Sequence, residues 1–110
     1  MVWQKSIKLA TNIYKLTSEF PSTEQYALSG QMRRAAVSIP SNIAEGYRRQ
    51  GLGKYLHFLS IANASAAELE TQIVFSEKLY PKFNYAAANR LLNEVLRMLC
   101  VLISKLEAKR

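Results

Sequence analysis

Aspartate is absent from this 110-residue chain, and cysteine and histidine occur once each, as Cys100 and His57. That poverty removes most of the side chains used in acid–base, nucleophilic and metal-assisted catalysis. A zinc site needs several Cys or His ligands. A di-iron bundle site needs Glu-x-x-His pairs, whereas Lys54 stands three residues before His57. No metal, cofactor or catalytic residue is therefore expected, and the chain is read as a non-enzyme. A single cysteine excludes an internal disulfide and suits a reducing cytoplasm. The longest unbroken apolar run, Met98 to Ile103, is six residues, against roughly 20 for a membrane span. Lys5 and Lys8 interrupt any secretory apolar segment at the start. Four Gly and three Pro leave little loop material, so long regular elements are expected in one domain spanning residues 1–110.

What is present is apolar and basic. Hydrophobic residues make up 49% of the chain, ordinary for a globular protein, and the net charge is +7. In the first segment Trp3, Ile7, Ala10, Ile13/Tyr14, Thr17 and Phe20 step by three and four, the helical period. Pro21 ends it, and Ser22 with Gln25 offers a capping box for the next. That second segment carries Leu28, Met32, Ala35/Ala36, Ile39 and Ile43 at helical spacing. Gly30 weakens a helix interior by about 1 kcal/mol. Pro40 removes a donor and predicts a kink, with a break into two shorter helices as the alternative. The third segment aligns Leu52, Tyr55/Leu56, Leu59, Ala62, Ala66, Leu69, Ile73 and Ser76, and ends at Pro81. Asn84 is a candidate cap for the fourth, which is apolar over a wide arc from Leu91 to Leu106. No strand-like alternation and no internal repeat is visible. The expectation is all-α: an antiparallel up-down four-helix bundle with helices at about 2–20, 23–49, 54–80 and 84–108.

Two motif matches fail on context. Gly46 to Gly51 begins like a phosphate-binding loop, but Leu52 occupies the lysine position and no strand precedes it. Asn63-Ala64-Ser65 matches a glycosylation acceptor but falls mid-helix. Cys100 reads as a small buried hydrophobe, and His57 as a surface or structural histidine.

The polar residues are more informative. Gln31, Arg34, Ser38, Asn42 and Glu45 form one stripe on the second helix, bordered by Arg33, Ser41 and Arg49. Ser65, Glu68 and Gln72 form a second stripe on the third, between Phe58 and Ile61 before and Phe75 and Leu79 after. These are either a solvated face or a polar seam between helices or subunits, where Arg33 or Arg34 meets Glu68 or Glu70. A carboxylate pair of Glu45 and Glu68 has no nucleophile or metal beside it. By quarters of the chain, residues 51–80 alone are acidic, at −1, which predicts basic neighbours. The surplus cations, Lys5, Lys8, Lys15, Arg48, Arg49, Lys54, Lys105 and Lys109, lie off the core stripes and are the candidate nucleic-acid contacts.

The block Gln31-Met-Arg-Arg-Ala-Ala-Val-Ser-Ile-Pro-Ser-Asn-Ile-Ala-Glu-Gly46 is long and unusual. With Phe58-Leu-Ser-Ile-Ala62 and Ser65-Ala-Ala-Glu-Leu-Glu-Thr-Gln72 it resembles the bacterial four-helix-bundle family of ribosomal RNA intervening-sequence proteins. The resemblance covers nearly the whole chain; Ala64 departs from it, since members often carry glycine there. It implies a small bundle assembling as a homopentamer. It also implies kinship with the accessory variability proteins of diversity-generating retroelements, basic barrels that associate with nucleic acid and a reverse transcriptase. No catalytic residue carries over. Two functions are thus expected: a basic homo-oligomer binding RNA or DNA with little sequence specificity, or a protein–protein adaptor, for example to a reverse transcriptase. No membrane partner is expected.

Overall fold

The computed structural model describes residues 1–24 and 27–110. It contains helices α1 (Val2–Thr17), α2 (Leu28–Arg48), α3 (Leu52–Leu79) and α4 (Ala86–Glu107), with a 3-10 turn at Ser22–Glu24. Among the described residues there is no strand. Each helix packs on two neighbours, in the circular order α1, α2, α3, α4 and back to α1, with no diagonal packing. The neighbours run antiparallel. Arg33 near the start of α2 bonds Thr17 at the end of α1. Met32 meets Ser76 near the end of α3, and Gly46 meets Phe58 near its start. Tyr85, just before α4, donates to the Ser76 carbonyl at 3.1 Å. The result is the expected up-down bundle, 46 × 23 × 19 Å in extent.

The core stripes of α2 and α3 are those the spacing predicts. Met32, Ala36, Ile39, Leu59, Ala62, Ala66, Leu69 and Ile73 are all fully buried. Small residues line much of this contact, so the two backbones approach closely. The connection between them is short, and Gly51 turns it with φ +97°, a conformation that disfavours any side chain.

Three details differ from the sequence reading. The buried stripe of α1 is Val2, Ser6, Leu9, Ala10, Ile13, Leu16 and Thr17. Trp3, Ile7 and Tyr14, expected inside, are exposed. The helix carries two apolar stripes, and the Leu9–Ile13–Leu16 one wins the core. Helix α2 begins at Leu28, so Gly30 lies in its first turn and not in its interior. It runs unbroken through the buried Pro40, which excludes the two-helix alternative. Cys100 is exposed, because Leu92, Val95 and Leu99 define the buried line of α4 and Cys100 falls one residue past it. Helix ends follow local chemistry: Pro81 stops α3, and the Asn84 side chain accepts the Ala86 amide proton at 2.9 Å. The capping box involves Gln25, which lies outside the described residues.

Candidate nucleic-acid interface

The sequence-predicted cations separate into two groups. Lys5 bridges from α1 to Glu94 on α4 at 3.2 Å. Arg49 pairs with Glu45 one turn earlier at 2.6 Å and lies over the Phe58 ring at 5.2 Å. Their charges are largely neutralised. Lys8, Lys15, Arg48, Lys54, Lys105 and Lys109 are exposed and, among the described residues, make no salt bridge. They occupy the outer face of α1, the α2–α3 turn and the end of α4.

The polar stripes meet only in part. Ser38 and Ser65 join their hydroxyls across α2 and α3 at 2.8 Å. Asn42 donates to the Ser38 carbonyl at 2.8 Å and to its hydroxyl at 3.0 Å. Arg34 and Glu68 are exposed, and among the described residues neither makes an ion pair. Arg33 turns the other way, onto α1. Its Nε donates to Thr17 Oγ1 at 2.8 Å and its guanidinium covers the Tyr14 ring at 4.6 Å. The expected Arg–Glu pairing of α2 with α3 is thus not made within the chain: Arg33 finds a better-shaped site on α1. Gln72 is buried, and its Oε1 accepts no hydrogen bond from the described residues.

In two titratable groups a hydrogen-bonded partner is the largest cause of the shift. The Lys5 hydrogen bond holds the Glu94 carboxyl below its usual range against some desolvation, with Arg90 and Arg97 adding to the effect. Tyr80 donates its phenol proton to Glu24, and that bond keeps the phenol above its usual range.

The residues that sequence reasoning missed gather at one end of the bundle. There the starts of α1 and α3 meet the ends of α2 and α4 around an open cleft of about 880 Å³. Trp3 and Tyr47, 44% and 76% exposed, and the half-buried Tyr55 present rings to it. Arg48, Arg97 and Lys105 stand around it, and its lining contains no carboxylate. The signal lay in register: Trp3 sits one position off the Val2–Leu9 stripe, and Arg97 and Lys105 share a face of α4.

The family model for the 23S rRNA-intervening sequence protein matches residues 1–101. The chain belongs to that family. A solved structure similar to it is a protein of unknown function from the S23 ribosomal protein family of Bacteroides thetaiotaomicron VPI-5482. The two share 25% identity with a TM-score of 0.82, over 94% of this chain and 98% of that one. No curated protein is a significant match. In this member of the 23S rRNA-intervening sequence family, no group of three or more His, Cys, Asp or Glu able to hold a metal occurs among the described residues. His57 is exposed, edge-on to Phe58 at 5.3 Å. Among the described residues no helix is long and apolar enough to cross a membrane.

Proposed function

We propose that this protein is a non-enzymatic homo-oligomer that binds RNA or DNA through its basic surface with little sequence preference. The observation that carries the reading is the set of six exposed cations with no acidic partner among the described residues, spread over three places on the bundle. A side chain already paired must break that pair to reach a phosphate; these six do not. Binding of this kind releases counterions, so affinity falls steeply with salt.

Two separate apolar surfaces support assembly. Ile7, Tyr14 and Val37 are exposed around a shallow groove between α1 and α2. Val74, Phe75 and Leu79 are exposed at the end of α3. Unlike patches on one subunit suit a heterologous contact, which closes into a ring when the rotation permits. The family resemblance supports five copies, and a pentamer would carry five times +7, roughly +35, raising avidity for a polyanion.

Filter binding with structured RNA, single strands and duplex DNA is the test. Retention at about 50 mM salt, lost at about 200 mM, is the expected result. Charge reversal at Arg48, Lys54 and Lys105 weakens it while light scattering shows an unchanged oligomer. A 12.5 kDa species at micromolar concentration would refute the assembly. No retention of any nucleic acid would leave the adaptor role instead.

A further inference from the structure

The cleft at the end of the bundle differs in kind from the rest of the basic surface. Lys8, Lys15, Lys54 and Lys109 line neither this cleft nor the α1–α2 groove. Here three aromatic rings and three cations converge on one concavity. Tyr47 and Tyr55 sit edge to face, 6.2 Å between ring centres, so Tyr47 is braced though its outer face is open. Ile43, Met98 and Leu102 line the cleft as well, which makes much of its wall apolar. A lining with cations and no carboxylate selects an anion, and open aromatic faces select a flat ring. An unpaired nucleotide carries both.

We propose that this cleft receives the unpaired bases of a single-stranded nucleic acid, stacked on Tyr47 and Trp3, with the flanking phosphates held by Arg48, Arg97 and Lys105. The proposal rests on the nucleic-acid reading above and adds the strand state and the place. A duplex keeps its base faces stacked on one another, so only an unpaired base can lie against a side-chain ring. Arg97 and Lys105 are eight residues apart on α4, about 12 Å along the helix. Cations spread over that span can each meet a different phosphate, so a strand engages more of them than a mononucleotide does. The sequence has no linear aromatic-basic motif because the rings and cations come from all four helices.

The single tryptophan of the chain lies in the cleft, so its emission reports occupancy directly. Full-length protein at low salt is titrated with a fluorescently labelled ten-nucleotide oligothymidylate, and separately with a labelled ten-base-pair duplex. Label anisotropy measures binding and Trp3 emission measures stacking. The expected result is a saturable change in Trp3 emission with the single strand and none with the duplex. Tyr47→Ala weakens the single strand between about 5-fold and about 150-fold, leaves the duplex unaffected, and Tyr47→Phe restores wild-type affinity. Since Tyr47 projects into solvent, Tyr47→Ala leaves the fold intact, which circular dichroism checks.

If the single strand binds by anisotropy while Trp3 emission and the Tyr47→Ala affinity stay at wild-type values, the cleft proposal falls and the basic-surface reading stands. If neither strand nor duplex binds, both fall. A Trp3 response to phosphatidylglycerol vesicles but not to the strand assigns the cleft to an anionic lipid and overturns the proposal.

Discussion

Gly46 on α2 stands against Phe58 on α3 so closely that a Cβ on Gly46 would lie 2.8 Å from the Phe58 Cβ and 3.3 Å from the Tyr55 carbonyl oxygen. Neither neighbour can yield by changing rotamer, since one is the first side-chain atom and the other is backbone. The glycine is therefore there for space, and it sets how closely the two helices pack near their turn.

Gly46→Ala is expected to destabilise the fold by about 1–2 kcal/mol: overpacking costs about 1–3, and the better helix propensity of alanine offsets part of it. Urea denaturation monitored by circular dichroism reads this directly. A midpoint equal to or above wild type would show that α3 can slide away at no cost.

Arg33 and Arg34 are sequence neighbours with different duties. Arg33→Ala removes the 2.8 Å bond to Thr17 and the stacking over Tyr14, and about 1–2 kcal/mol of stability goes with them. Arg34→Ala deletes the same charge from an exposed position and stays within about 0.5 kcal/mol of wild type. Arg33→Lys recovers less than half of the loss, because an ammonium cannot both bond Thr17 and lie flat on the ring. Equal melting temperatures for the two alanine variants would overturn the distinction.

The bundle was legible in the sequence because the apolar spacing of α2 and α3 stays in step over the whole length of each helix. Val37 on α2 and Val74, Phe75 and Leu79 on α3 fall off that line and are exposed, so the periodicity assigns Met32, Ile39, Leu59 and Ile73 correctly. Helix α1 offers two apolar stripes, the aliphatic Leu9–Ile13–Leu16 and the partly aromatic Trp3–Ile7–Tyr14, and packing buries the aliphatic one, whose side chains carry no polar atom. The error had a functional consequence, since it hid Trp3 in the core. The cations were legible as a set but not by partner: which of them are consumed by Glu45 or Glu94 depends on helix rotation. The cleft was illegible, since its residues are separated by up to about a hundred positions and share no spacing.

The Ser38–Ser65 contact is the part of the polar stripes that does join two helices. Ser38 touches both Ser65 and Asn42, whereas Ser65 has Ser38 as its hydroxyl partner. Ser38→Ala should therefore be the more destabilising of the two single changes. A double-mutant cycle is expected to give a coupling of about 0.5–1.5 kcal/mol. Strictly additive midpoints would mean that the contact contributes nothing and that small size alone matters at both positions.

The Lys5–Glu94 bridge ties α1 to α4 and gives the fold an acid-sensitive contact. Glu94 is held below the ordinary carboxylate range, chiefly by the hydrogen bond from Lys5 and further by Arg90 and Arg97. In the unfolded chain the carboxylate takes up its proton at a higher pH than in the folded chain, so lowering the pH through that range shifts the balance toward the unfolded state. The contribution is complete above the ordinary carboxylate range and disappears as pH falls through the lowered folded value. Glu94→Gln carries no titrating group at this position and keeps a hydrogen-bonding side chain. The stability gap between wild type and Glu94→Gln is therefore expected to be largest near pH 7 and to shrink between about pH 5 and pH 3. Other carboxylates titrate in both proteins, and their effect cancels in the difference. Thermal melts at five or six pH values across that window are the measurement. Lys5→Met should remove the same window from the opposite side, because the carboxyl then loses the partner that lowers it. A gap that stays constant with pH would show that the bridge is solvated and contributes nothing to holding α1 on α4.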